Sequence, residues 1–182
     1  PTLLLVDIQK AFIDKDYPGF PRNNHNAEFI CGKILKLWRE KKFPIIHVRH
    51  SSTNINSKLH ESNPGFEFND YVKPKADEII LKKNVNSAFI GTDLKSILDR
   101  SNTKVVIIVG MTTNHCISTT VRMSGNFGYE TFLISDSTAC YTAKGLDGEL
   151  IDCEVIYQTS IANLKDEFAT IINSEELITL IK

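Results

Sequence analysis

The sequence predicts an α/β fold: a three-layer α-β-α domain on a mostly parallel, six-stranded, doubly wound (Rossmann-like) sheet. Two observations carry this. Short apolar runs alternate with segments of helical period from one end of the chain to the other, which calls for a sheet covered by helices on both faces. The runs are also continuous, as in Val105–Val109, and strands buried on both faces of a parallel sheet read this way.

The elements follow in order. Leu3–Val6 is a first strand that reaches Asp7 at once. Ile8–Asn24 reads as irregular, punctuated by Pro18, Gly19 and Pro21. Asn24 or Asn26 caps a helix to about Lys41, where Ile30, Ile34, Leu37 and Trp38 recur at helical spacing. Pro44 precedes a second strand, Ile45–Val48, completing a βαβ unit. Ser51–Tyr71 reads as a loop, and loops this long close a site or bind a partner. Ile79–Leu81 is a third strand flowing into Lys82 and Lys83. Thr92 caps a helix through about Asp99, with Leu94, Ile97 and Leu98 inward. Val105–Val109 is the fourth strand, ended by Gly110; a turn, Met111–His115, leads into a helix from about Cys116. Glu130–Ile134 is a fifth strand. Gly145–Leu150 opens a helical region to about Asp166, Ala169–Ile172 forms a last strand, and Ser174 caps a C-terminal helix.

The 182 residues fit one domain, 1–182, with no internal repeat and no linker. Lys and Arg number 21 against 22 Asp and Glu, with no basic block, which argues against a nucleic-acid partner. No apolar run approaches the roughly 18 residues that span a bilayer, and the N-terminus enters a strand without a charged leader. The expectation is a cytoplasmic protein with no membrane partner. The four cysteines form no Cys-x-x-Cys pair, which suits a reducing compartment; Cys31, Cys140 and Cys153 read as packing residues.

In such folds the site lies beyond the carboxyl ends of the strands. Three reactive side chains fall there: Asp7 after the first strand, Lys83 after the third, Cys116 after the fourth. Cys116 stands where a helix begins, and the positive end of the helix dipole should ease its ionisation. Asp7 can take the thiol proton and return it to a leaving amine, while Lys83 favours the charged forms. The N–H groups of Thr112 and Cys116 supply an oxyanion hole. These parts describe acyl transfer from an amide to water through a thioester.

The chain resembles the isochorismatase-like superfamily of cysteine hydrolases, which includes nicotinamidases and N-carbamoylsarcosine amidases. The matching stretches are LLLVDIQKAF (Leu3–Phe12), KKNVNSAFIGTDL (Lys82–Leu94), VGMTTNHCISTTVRMSGNFGYE (Val109–Glu130) and SDSTAC (Ser135–Cys140). The resemblance implies a catalytic triad of Asp7, Lys83 and Cys116, a cis peptide between Met111 and Thr112, no organic cofactor, and a homodimer or higher homo-oligomer acting on a small amide. Family enzymes that cleave a vinyl ether lack the cysteine, so Cys116 points to C–N cleavage of an amide or carbamoyl compound.

Two rival readings are a nicotinamidase with a variant metal site and a non-catalytic scaffold on the same fold. Nicotinamidases carry Asp-x-His and a further His around a divalent metal. This chain has His47, His50 and His60 there, but Arg49 lies between the close pair and no Asp occurs between Asp16 and Asp70. The reading is therefore no metal. Gln9, Phe12, Arg49, His50, Phe89 and Tyr141 are candidates to line the substrate pocket, with Arg49 able to pair with a substrate carboxylate or carbonyl.

Overall fold

A computed structural model describes residues 1–14, 16, 17 and 19–181; Pro18 lies outside the described residues. The elements are β1 (Thr2–Val6), α1 (Ala27–Lys41), β2 (Ile45–His50), β3 (Ile79–Lys83), α2 (Leu94–Arg100), β4 (Val105–Gly110), α3 (Ser118–Asn126), β5 (Glu130–Ile134), β6 (Ala143–Lys144), β7 (Leu150–Ile151), α4 (Cys153–Ala162), β8 (Thr170–Ile172) and α5 (Ser174–Ile181). Six strands form one sheet in the order β3-β2-β1-β4-β5-β8, every neighbouring pair parallel. β6 and β7 form a separate antiparallel ribbon.

Strand alternation divides the core in two. Leu3 and Leu5 of β1 join Ile107 and Val109 of β4 beneath Ile34, Leu35 and Trp38 of α1 and Leu177 of α5. Leu4 and Val6 join Val106 and Ile108 beneath Leu94 and Leu98 of α2 and Val121 of α3. Burying each such aliphatic side chain contributes about 1.5–3 kcal/mol. Both faces of β1 and β4 are thus covered, which is why their sequences are apolar without alternation.

Several local expectations are corrected. The region Gly145–Leu150 is the tip of the β6–β7 ribbon rather than the start of a helix: Gly148, at φ +85°, makes the turn a helix would not tolerate. Helix α4 starts only at Cys153, where the Asp152 side chain accepts the Glu154 N–H. The C-terminal helix is capped by Asn173, whose Oδ1 accepts the N–H groups of Glu175 and Glu176. Ser174 instead donates to Asp136. Asn26 precedes α1 without a side-chain cap, and the Asn24 amide donates to the Ser135 and Thr138 carbonyls. The Thr92 hydroxyl does accept the Leu94 N–H. The long loop after β2 contains two short 3-10 turns, Pro64–Phe66 and Asp70–Val72. No helix among the described residues is long and apolar enough to cross a membrane.

Candidate active site

The strand order reverses between β1 and β4, and in such sheets the site lies beyond the carboxyl ends at that point. Val6 lies opposite Gly110. Gly110 has φ +134°, and any Cβ there would fall on the Val6 carbonyl, so this close approach requires glycine. Asp7 is the first residue past β1; its N–H still bonds the Val48 carbonyl at 2.8 Å, and its φ of +54° is left-handed, a conformation non-glycine residues adopt at a cost. Lys83 ends β3, two strands from β1, a gap of roughly 10 Å at ordinary strand spacing. A long side chain is needed to cross it. Lys83 Nζ reaches Asp7 Oδ2 at 2.6 Å, and both side chains are fully buried.

Cys116 arrives from the other side of the crevice. After β4 comes a cis peptide bond between Met111 and Thr112. A π-helical turn, Thr113–Ile117, then leads into α3 with Cys116 as its fourth residue. Thr113 N–H is held by the Ala139 carbonyl, whereas no group among the described residues accepts the Thr112 N–H. Lys83 Nζ lies 3.4 Å from Cys116 Sγ, 3.3 Å from His50 Nδ1 and 3.1 Å from the Val85 carbonyl oxygen. Asp7, Lys83 and Cys116 therefore meet, with His50 beside them.

The electrostatics differ from expectation at Cys116. Burial and the negative charge of Asp7 push its thiol up to about 12, against the opposing pull of Lys83. A full carboxylate charge at this range outweighs the partial charge at a helix end. Asp7 is itself raised: burial disfavours its charge more than Lys83 and the neighbouring thiol favour it. Its Oδ1 is buried with no hydrogen-bond partner among the described residues. His50 is lowered by burial and by Lys83.

The residues present do not fit a divalent metal. His47 Nε2 bonds Glu78 at 2.9 Å, and His60 Nδ1 pairs with Ser62. Among the described residues, Asp7, His50 and Cys116 alone form a potential ligand group, their ligand atoms within 4.8 Å of one another. The Lys83 amino group sits among all three, and its charge opposes a second cation there.

A cavity of about 450 Å³ opens beside the Cys116 turn. Phe12 and Tyr141 line it, together with Tyr17, Phe20, Thr112, Asn114, His115 and Lys144. Burial foremost, then the nearby Tyr141, Cys116 and Asp7, raises the Tyr17 phenol. Three other pocket candidates lie elsewhere. Gln9 is buried and bonded to both backbone groups of His50 and to the Phe66 carbonyl, stapling two loops together. Phe89 packs against Phe127 and Tyr129 in the core. Arg49 stacks 4.3 Å from the Phe66 ring centroid and is not among the residues that line this cavity. His115 does border the cavity, with ring nitrogens near Thr112 Oγ1 and the Asn114 amide. Sequence reasoning missed Tyr17, Phe20, Asn114 and Lys144. The aromatics in the Gly/Pro-punctuated stretch after Asp7 were the available signal; Lys144 was hidden by the helical reading of the ribbon. A hollow of about 540 Å³ lies away from this chemistry, against Arg39, Pro44, Ile45 and Glu78.

The Isochorismatase domain pattern matches residues 1–176, and the chain belongs to the isochorismatase family of hydrolases. It is 46% identical over 177 residues to YrdC of Bacillus subtilis, an uncharacterized isochorismatase family protein, covering 97% of this chain and 94% of that one. An isochorismatase-family crystal structure from Chromobacterium violaceum superposes with a TM-score of 0.93 at 33% identity, covering 98% of this chain and 92% of that one. Maleamate amidohydrolase of Pseudomonas putida is 22% identical over 171 residues, 86% of this chain and 80% of its own length.

Proposed function

We propose that the protein is a cysteine-dependent hydrolase that cleaves the C–N bond of a small amide or carbamoyl compound without a metal. The observation that carries this is the divided role of the Asp7 carboxylate: Oδ2 is held by Lys83 and Oδ1 is unpartnered, with the Cys116 thiol close by. A raised carboxyl is a better base, and a raised thiol keeps its proton until the substrate is in place. The amidohydrolase among the relatives supports the same reaction class.

The steps follow from these placements. As Sγ attacks the amide carbon, the thiol proton passes to Asp7. The carbonyl oxygen gains charge and is met by the N–H groups of Thr112 and Cys116. Asp7 then hands its proton to the departing nitrogen, the C–N bond breaks, and a thioester remains. Asp7 next takes a proton from water, whose oxygen attacks the thioester. Collapse releases the acid, and the same proton returns to Sγ. Lys83 keeps a positive charge beside Asp7 whenever the carboxylate forms.

Ammonia release from a panel of small amides tests this, with wild type and Cys116→Ala each assayed with and without chelator. The expected result is chelator-resistant turnover that Cys116→Ala lowers by at least ~10³-fold while keeping its fold. Turnover that survives the substitution would refute the mechanism. Turnover abolished by chelator and restored by zinc would favour the variant-metal nicotinamidase, and none across the panel would move weight to the scaffold.

A further inference from the structure

We propose that His50 is a positioning residue of this site: its neutral ring, through Nδ1, shares one proton of the Lys83 ammonium with Cys116, holding Lys83 while the sulfur is a thiol or thioester and releasing it to the thiolate. This rests on the hydrolase reading and adds to its machinery a residue outside the triad.

The backbone places the ring. His50 and Lys83 end neighbouring strands and are paired in register, so their side chains leave the sheet side by side on one face. β1 ends before it reaches His50; its last contact with β2 is the Asp7 N–H on the Val48 carbonyl. Beyond that point the buried Gln9 side chain does the work of a neighbouring strand. Its amide oxygen accepts the His50 N–H at 2.8 Å, and its amide nitrogen donates to the His50 carbonyl at 3.0 Å. On the other side the Ser51 N–H bonds the Lys83 carbonyl at 2.7 Å. His50 is therefore fixed from both sides.

The hydrogen bonds at Lys83 then assign the ring its role. An ammonium has three protons to donate and no lone pair. Around Lys83 Nζ lie Asp7 Oδ2 at 2.6 Å, the Val85 carbonyl oxygen at 3.1 Å, His50 Nδ1 at 3.3 Å and Cys116 Sγ at 3.4 Å. The two oxygens take two of the protons, and one remains for the nitrogen and the sulfur together. Nδ1 must meet a donor with its lone pair, which puts the proton of the neutral ring on Nε2. The charged and titratable groups facing the ring are Lys83, Asp7 and Cys116. Burial foremost, then Lys83, holds the imidazole below its ordinary value, so it is uncharged at neutral pH.

A thiol or thioester sulfur accepts hydrogen bonds weakly, an imidazole nitrogen accepts them well, and a thiolate carries full charge. The shared proton accordingly rests on Nδ1, turns to Sγ as negative charge develops there, and returns once the sulfur is acylated. Lys83 thus stabilises the sulfur only where the reaction charges it. It is never left with a buried, unpaired N–H that would draw it away from Asp7.

The test compares wild type with His50→Leu, which removes the acceptor, and His50→Asn, whose amide oxygen replaces Nδ1. Three readouts are used. Nitrogen NMR of isotope-labelled protein, with His50→Asn assigning the signal, should show a neutral His50 ring protonated on Nε2. Iodoacetamide alkylation of Cys116, followed by mass spectrometry with Cys116→Ala as control, needs no substrate. In His50→Leu the freed proton turns to the sulfur and lowers the thiol; a fall of about one unit, less the accompanying loss of nucleophilicity, speeds alkylation about threefold. With whichever amide of the ammonia-release panel wild type cleaves, His50→Leu should lower kcat about tenfold, leave KM little changed and let the acyl-enzyme accumulate in quenched mass spectra. His50→Asn should recover most of both effects. A ring protonated on Nδ1 overturns the inference. So does alkylation unchanged or slowed in His50→Leu, as added apolar packing alone would give, or a kcat equal to wild type. If the tautomer and alkylation results hold but no amide releases ammonia, the sharing of Lys83 stands and the hydrolase reading loses its support. If turnover needs Cys116 yet is indifferent to His50→Leu, the hydrolase reading stands and the role of His50 falls.

Discussion

Two carboxylates, each anchored to a basic side chain at a strand end, behave in opposite ways. Glu78 precedes β3 near the amino edge of the sheet; Asp7 follows β1 at the carboxyl edge. Both are desolvated, and burial pushes each one up. At Glu78 two bonds from Arg39, one from the Lys75 N–H and one from His47 more than reverse this, bringing it down to about 2. At Asp7 the bond from Lys83 and the neighbouring Cys116 thiol leave burial dominant, and Oδ1 accepts no hydrogen bond among the described residues. A carboxylate whose lone pairs are saturated is a structural anion; a buried one with an oxygen left open is poised to take a proton.

The largest effect that would break this contrast comes at Asp7. Asp7→Asn removes the proton acceptor and should lower kcat by ~10²–10⁴-fold; single-turnover acylation assays check it, and an active Asp7→Asn protein would void the base role. Lys83→Met comes next. Lys83 lowers Asp7 from where burial alone would put it, so its loss should move the acid limb of the kcat/KM–pH profile to higher pH, with a drop of about tenfold or more at the optimum. A limb that stays in place would show that Lys83 does not set the ionisation of Asp7.

Glu78→Gln should give the smallest effect, and a different kind. It should lower Tm by about 3–8 °C through roughly 1–3 kcal/mol of lost charged hydrogen bonding, with the proton-transfer chemistry intact; calorimetry and circular dichroism read this. The pH sign follows from the direction of the shift. A group held below its unfolded value of 4.5 stabilises the fold above that pH, and the contribution fades as pH falls toward about 2. Acid unfolding should therefore begin at higher pH in Glu78→Gln than in wild type. An unchanged acid midpoint would remove Glu78 from the structural side of the comparison.

How far the site was legible varied with the kind of information each residue carried. Asp7, Lys83 and Cys116 could be found because each follows a run whose apolar continuity marks a buried strand, and strand ends are where such folds place ligands. Phe12 and Tyr141, aromatics just downstream of those ends, line the cavity beside the Cys116 turn. Gln9, Arg49 and Phe89 occupy similar sequence positions and lie outside the cavity. Residues a few places past a strand can turn either way, and neighbouring loops such as 64–69 decide which. The helical reading of Gly145–Leu150 failed because a glycine turn and a short antiparallel pairing overrode a local pattern too brief to specify a helix.

By itself, then, the order of apolar runs and turns determined a parallel α/β sheet and which reactive residues would stand at its carboxyl edge, because burial on two faces leaves a strong and local imprint. Tertiary structure alone decided the ionisation of those residues. The Cys116 thiol is raised because the fold buries it and brings Asp7, more than a hundred positions away in the chain, within reach of it. The strand order carries Lys83 across two strands to the Asp7 carboxylate, and the turn of the β6–β7 ribbon brings Lys144 to the cavity. Desolvation and charge depend on distance in space, and only the folded chain sets that distance.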